Sequence, residues 1–206
     1  SAERIREEFL KILQSAHPDY TGKLLEIGAM PFIYPSYGEI QKEAERALLL
    51  APEDKVLRLA AFLYQGGAED AEAFFDRLKF DNDTRNRVLH LIRYKDAELE
   101  AEPKSLRKFL SEFGKEDVDK LLLFHEKILG TDLTEVRREL KGIEERRECT
   151  SLKELALTGN DLTAMGMKPG REMGALLHEL LDAVIEEPKL KTKEKLKEIA
   201  EGRLSG

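Results

Sequence analysis

Apolar residues recur at helical spacing along almost the whole chain. In the segment 169–187 they form one continuous stripe, made of Leu176, Leu177, Leu180, Leu181, Val184 and Ile185. Such a stripe is the buried face of an amphipathic helix. Alternation of apolar and polar residues, which a half-buried strand requires, never extends beyond about four positions. The pattern predicts an all-α protein, an elongated assembly of small helical subdomains without a significant sheet.

Start and stop signals divide this periodic sequence into helices. Ser1 is a suitable N-cap for the first helix, and the sequence His17-Pro18 ends it. Residues 29–38 contain two prolines and three aromatic residues, and we predict a loop there. The predicted helices cover residues 1–13, a short segment ending at Gly28, and residues 39–50, 52–65, 69–78, 84–95, 105–113, 116–129, 131–147, 169–187 and 192–203.

The composition changes sharply in residues 157–174, which read LTGNDLTAMGMKPGREMG. We predict a short helical turn at 161–165, a bend at 166–168 and a new helix that begins at Pro169. The free N–H groups at the start of this helix favour an anion, and Lys168 and Arg171 add positive charge beside them. A compact corner in which Gly174 packs against a neighbour explains the same glycines and is the commoner meaning of such a pattern.

Other catalytic or metal-binding patterns are weak. No two of the four histidines have the spacing of metal ligands, and Cys149 has no histidine nearby. Asp81 and Asp83 offer carboxylates for a divalent ion, but their place before a predicted helix favours a capping role. The cations between 137 and 147 alternate with glutamates, which favours a salt-bridged surface. We therefore predict no catalytic residue and no metal site.

Charge and cysteine content limit the partners and the compartment. The net charge of −7 argues weakly against nucleic acid. However, residues 1–102 carry 14 basic and 20 acidic side chains, whereas residues 103–206 carry 20 and 21, so the second half is nearly neutral. A local basic patch there remains compatible with RNA. The chain has no long apolar run and a single cysteine, and we expect a cytoplasmic location without membrane contact.

Three stretches resemble the C-terminal part of bacterial CCA-adding tRNA nucleotidyltransferases, a class shared with bacterial poly(A) polymerases. The start SAERI resembles the neck motif of that family, and residues 55–67 with 74–94 resemble its body region. Residues 157–174 resemble its tail motif, in which Asp161, Leu162, Gly166, Pro169, Gly170 and Gly174 all match. The resemblance implies neck-like helices in residues 1–50, a body in 51–147 and a tail in 148–206.

In this family the body and tail bind tRNA along its acceptor stem. The resemblance therefore implies tRNA as the partner, with RNA-binding residues Lys168, Gly170, Arg171, Asn160 and Gly166. The matching residues Glu3 and Arg4 of the neck motif would order helices near the nucleotide pocket.

The family's catalytic head, which binds Mg²⁺ and CTP or ATP, precedes the neck motif. We expect it to be outside this chain, joined in cis or supplied in trans, and the chain alone to be inactive and free of cofactors. Some relatives also carry a metal-binding His-Asp pair where this sequence has Tyr64 and Gln65, so phosphohydrolase activity is not expected.

A second interpretation remains open. The acidic first half and the aromatic residues Phe32, Tyr34 and Tyr37 are also typical of a helical module that binds protein and not RNA.

Overall fold

A computed structural model describes residues 1–204 of the chain. Within these residues it contains α-helices, short 3₁₀ turns and one π-helical segment at Phe124–Leu129, and no strand, so the predicted all-α class is confirmed. The α-helices are α1 (Ala2–Leu13), α2 (Thr21–Glu26), α3 (Met30–Ile33), α4 (Tyr37–Leu50), α5 (Lys55–Leu63), α6 (Gly67–Leu78), α7 (Asn82–Arg93), α8 (Pro103–Leu123), α9 (Thr134–Glu145), α10 (Gly159–Ala164), α11 (Arg171–Glu186) and α12 (Lys193–Leu204).

The chain forms two compact units. The first consists of Ser1–Glu98 and Asp119–Leu133, and the second of Leu99–Val118 and the chain from Thr134 onward. The division at residues 50 and 147 that the resemblance implies stays a prediction.

Helix α5 forms the centre of the first unit, since every residue from Val56 to Leu63 is buried. The ring of Phe62 lies at its core, with ring centroids 5.0 Å from Phe9 and 5.2 Å from Tyr37. The helix begins at Lys55 and not at Pro52 as predicted, because the carboxylate of Asp54 accepts a hydrogen bond from the N–H of Leu57 at 3.0 Å and caps it.

The predicted loop at residues 29–38 is wrong in part. Met30–Ile33 is helical, and α4 already begins at Tyr37. Tyr34 and Tyr37 are buried, whereas Phe32 is 72% exposed. The two tyrosines hold this segment in place because they are buried in the core. This tertiary contact cannot be seen in the sequence, where the two prolines indicate a loop.

Helix α11 organises the core of the second unit. Five of the six residues in the predicted apolar stripe are buried, and Leu177 is partly buried. They pack with residues from neighbouring segments, namely Cys149, Leu155, Leu157, Leu162, Leu196 and Ala200. The predicted helix ends before Gly114 and Gly130 are confirmed: Gly114 has non-helical backbone angles and divides α8 into two helical parts, and Gly130 is left-handed and ends the π-helical segment.

Candidate nucleic-acid interface

The segment that precedes α11 starts with a reciprocal N-cap on α10. The hydroxyl of Thr158 accepts a hydrogen bond from the N–H of Asp161 at 3.3 Å, and the Asp161 carboxylate accepts one from the N–H of Thr158 at 2.8 Å. Lys193 donates to the same carboxylate at 2.6 Å. The hydrogen bond from Lys193, followed by those from Thr158, holds the pKa of Asp161 well below its usual range. Asp161 is therefore a capping residue already engaged within the protein.

A tight turn at Gly166 follows α10. Gly166 has a φ of 94°, which an L-residue with a side chain rarely adopts, and its N–H donates to the carbonyl of Thr163 at 3.0 Å. The N–H of Met167 donates to the carbonyl of Leu162 at 3.0 Å, and the Met167 side chain packs against the core. These contacts hold the turn against the core of the second unit. The next three residues, Lys168, Pro169 and Gly170, are exposed.

Helix α11 begins at Arg171 and not at Pro169, so the predicted start is wrong by two residues. Gly170 takes the N-cap position with extended backbone angles, φ 158° and ψ −167°, which leaves Pro169 outside the helix. The first helical hydrogen bond runs from the N–H of Gly174 to the carbonyl of Gly170 at 3.2 Å. Gly170 has no side chain to cap the helix, so the N–H groups of residues 171–173 have no acceptor within residues 1–204.

The five predicted RNA-binding residues all lie on the surface, either in α10 or between it and the start of α11. Lys168, Gly170, Arg171, Asn160 and Gly166 are each exposed. Neither Lys168 nor Arg171 forms an ion pair with any residue that the structure describes. Two unpaired cations therefore lie beside three unpaired N–H groups, an arrangement that favours an anion.

The alternative in which Gly174 packs tightly against a neighbour does not fit the geometry. A Cβ at Gly174 would meet no atom within 4 Å, whereas one at Gly159 would lie 3.3 Å from the sulfur of Met173. The close approach in this corner is therefore at Gly159.

Because space is open at Gly174, Gly174→Ala is expected to raise the free energy of unfolding by about 0.5–1 kcal/mol, through the better helix propensity of alanine. Urea denaturation followed by circular dichroism measures this change. Gly202→Ala, at another helical position with open space, is the matched control near a helix end, where a smaller gain is expected. A loss of stability in Gly174→Ala would contradict the open space around Gly174.

The neck-motif residues lie at the start of α1. Glu3 accepts a hydrogen bond from Lys79 at 3.0 Å, and its own backbone N–H together with Lys79 lowers the pKa of Glu3 to about 2. The Arg4 side chain is exposed and forms no hydrogen bond or ion pair within residues 1–204. Glu3 thus connects α1 to the turn after α6.

Arg6 makes a contact that the sequence analysis did not identify. Its guanidinium donates to the carbonyls of Leu78 and Lys79 at the end of α6, and it lies 5.7 Å from the ring centroid of Phe80. It compensates the negative end of that helix. The sequence offered one signal, the aromatic Phe80 next to a helix end, but no local pattern connects it with Arg6.

Several alternatives from the sequence are resolved by local contacts. Asp81 caps α7, since its carboxylate accepts hydrogen bonds from the N–H of Thr84 at 2.8 Å and from the Thr84 hydroxyl at 2.9 Å. Burial raises the pKa of the Cys149 thiol, which disfavours a nucleophilic thiolate. The predicted salt-bridged surface is confirmed by pairs such as Arg146 with Glu139 at 2.5 Å.

No group of three or more His, Cys, Asp or Glu side chains within residues 1–204 could hold a metal ion. The residues present therefore do not fit the paired Mg²⁺ ions of nucleotidyl transfer. None of the helices in this part of the chain has the length and apolar character that a bilayer crossing requires.

Fold and surface together define an all-helical protein with an uncapped, positively flanked helix start and no metal-binding cluster among the described residues. Residues 51–200 match the family described as tRNA nucleotidyltransferase domain 2, and the chain belongs to this family. Residues 1–39 match a second family, described as "Probable RNA and SrmB- binding site of polymerase A".

A curated relative supports the same assignment. The chain is similar to "CCA tRNA nucleotidyltransferase 1, mitochondrial" of Danio rerio, with 25% identity over 192 residues. The match covers 88% of this chain and 42% of the relative, so the chain spans about two fifths of that protein's length. No solved structure matched the chain significantly.

Proposed function

We propose that this chain is the tRNA-binding part of a CCA-adding tRNA nucleotidyltransferase and positions the acceptor end of tRNA for a catalytic head. The observation that carries the proposal is the uncapped start of α11, a helix of 16 residues, between the unpaired cations Lys168 and Arg171. A phosphate of the RNA backbone supplies the charge and the acceptor oxygens that these groups lack.

Recognition through the RNA backbone suits a protein that has few side chains able to contact the edges of the bases. Double-stranded RNA is recognised mainly through its shape, its phosphates and its 2′-hydroxyls. Exposed Asn160 supplies a donor and an acceptor for a sugar or phosphate, and exposed Gly166 leaves room for the backbone to approach. The bacterial character of the enzyme, its cytoplasmic location and a head supplied in cis or in trans belong to the same proposal.

The proposal predicts that tRNA binds more tightly than an unstructured RNA of equal length at moderate salt. Lys168→Glu combined with Arg171→Glu is expected to weaken tRNA binding at least tenfold. It should also lower the magnitude of the slope of log K against log salt by about 1.4 to 1.8, since each of the two lost phosphate contacts contributes about 0.7 to 0.9. Fluorescence anisotropy with labelled tRNA at several salt concentrations measures both quantities.

Lys189→Glu combined with Lys197→Glu is the matched control, because it makes the same charge change at two other exposed positions of the second unit. An equal loss in the control, or an unchanged salt slope in the test variant, would remove the start of α11 from the RNA interface. Equal affinity for tRNA and for unstructured RNA would refute tRNA binding itself.

A helical module that binds protein and not RNA is the second candidate. Two apolar side chains of the first unit favour it, since Ile27 is 74% exposed and Phe32 is 72% exposed. Tyr34 and Tyr37, however, are core residues and are not available to a partner. Co-purification with a protein partner, together with indifference to RNA, would support this candidate over the first.

A further inference from the structure

A surface pocket of the first unit has no role in the function proposed so far. It is open on one side, has a volume of about 350 Å³, and lies between α4 and the end of α5. Its lining consists of Lys42, Glu43, Arg46, Tyr64 and Gln65.

The pocket carries a net positive charge. Lys42 and Arg46 lie one helical turn apart on α4, where like charges repel each other. Both side chains are exposed, and neither forms an ion pair with any residue from 1 to 204. Glu43 is the single acidic residue of the lining and offsets one of the two charges. An anion between the two cations would relieve their repulsion.

Tyr64 provides a fixed aromatic surface in the same pocket. Its ring packs edge to face against Phe124, with centroids 5.7 Å apart and an interplanar angle of 85°. Its backbone N–H donates to the carbonyl of Ala60 at 2.9 Å, which holds it at the end of α5. The amide of the neighbouring Gln65 is exposed and offers both a donor and an acceptor.

The two sides of the pocket therefore suit the two parts of a nucleotide. The carboxyl end of α5 carries partial negative charge and disfavours a phosphate near Tyr64, whereas α4 presents the two cations. A phosphate on the α4 side leaves a base within reach of the aromatic ring and of the Gln65 amide. Aromatic stacking with adjacent cations is the usual way in which proteins hold unpaired nucleotides.

We infer that this pocket binds one unpaired nucleotide of the RNA, with its phosphate at Lys42 and Arg46 and its base at Tyr64 and Gln65. The inference rests on the proposed RNA-binding function but concerns a different surface from the start of α11. Because a paired base is not accessible for stacking, the pocket should respond to single-stranded RNA and not to a closed helix.

The test compares an RNA hairpin that carries a short single-stranded 3′ extension with the same hairpin ending in a blunt stem. The full chain is expected to bind the extended hairpin on the order of tenfold more tightly. Lys42→Ala with Arg46→Ala, and separately Tyr64→Leu, should remove this advantage, whereas Tyr64→Phe should keep it. Lys11→Ala with Arg77→Ala makes the same charge change at exposed positions outside the pocket and should also keep it.

The outcomes separate the two proposals. If the wild-type chain binds neither hairpin, the proposed RNA-binding function fails and the pocket inference fails with it. If the advantage of the extended hairpin survives in the pocket variants, or is lost equally in the control, the pocket inference alone is overturned.

A titration with adenosine 5′-monophosphate, followed by ¹H–¹⁵N spectra, tests the role of the base. It should shift the backbone amides of Tyr64 and Gln65, and inorganic phosphate should shift them less. Equal shifts with phosphate alone would refute the assignment of a nucleotide.

Discussion

Replacement of Arg107 by alanine is expected to lower the free energy of unfolding by about 3 kcal/mol. Arg107 lies in α8 with its side chain only 6% exposed, and it pairs at 2.8 Å with Glu148, whose side chain is 10% exposed. Its Nε also donates to the carbonyl of Ile185 at 2.9 Å, near the carboxyl end of α11. The substitution leaves the buried carbonyl of Ile185 without this donor and leaves Glu148 with Arg146 as its remaining partner, at 2.6 Å. Urea denaturation measures the cost.

A double-mutant cycle isolates the pair from its surroundings. Glu148→Leu alone should be more costly than Arg107→Met alone, because it leaves the buried Arg107 without a carboxylate, whereas Glu148 in Arg107→Met keeps its ion pair with Arg146 at 2.6 Å. The double variant should lose less free energy of unfolding than the two single variants lose together, because it buries neither of the two charges. Additive losses would contradict a direct interaction. Lys115→Ala, which breaks an exposed ion pair with Glu144 in the same unit, should cost about 0–1 kcal/mol and is the control.

The same pair predicts the acid sensitivity of the second unit. Burial alone would raise the pKa of Glu148, but hydrogen bonds from Arg146 and Arg107 outweigh it and lower the pKa below the ordinary value of 4.5. A carboxylate with a lowered folded pKa stabilises the protein above its unfolded pKa, and this contribution is lost as the pH falls through the folded pKa. Glu148→Gln should therefore be less stable than wild type at neutral pH, and the difference should narrow below about pH 4.5.

Local chemistry explains what could be predicted from the sequence. The helix ends at Gly114 and Gly130 and the cap at Asp81 depend on residues within one turn, and the sequence predicts all three correctly. The start of α11 is not predicted correctly, because Gly170 adopts non-helical backbone angles at the N-cap position and leaves Pro169 outside the helix. A helix end can be predicted from the sequence where a side chain or a glycine within one turn determines it.

Contacts between distant residues were not predictable. Arg107 reaches a carbonyl 78 residues away, and nothing in the local pattern around either residue indicates the pair. The pocket of the first unit depends likewise on the packing of α4 against α5, which brings Lys42 near Tyr64. The exposed cations of the candidate RNA interface were predictable, because a glycine-rich turn before an apolar stripe leaves the first helical turn at the surface.

Replacement of Arg58 by methionine is expected to lower the free energy of unfolding by about 3 kcal/mol. Arg58 lies in the buried helix α5 and is only 7% exposed, yet no carboxylate among residues 1–204 pairs with it. Its Nη1 donates to the carbonyls of Leu13 at 2.9 Å and Ser15 at 2.8 Å. Leu13 is the last residue of α1 and Ser15 lies two residues beyond it, so the carbonyl end of this helix and the turn that follows replace the missing counter-ion.

Methionine keeps most of the apolar volume but leaves both carbonyls without this donor, so the loss should be concentrated in α1. Hydrogen exchange provides the local measurement, because the amides of α1 should exchange faster in Arg58→Met while those of α11 are unchanged. Arg58→Lys retains the charge but not the planar guanidinium, and an intermediate loss is expected. Stability equal to wild type in Arg58→Met would show that the two carbonyls find another donor, and would contradict a role of Arg58 in holding the end of α1.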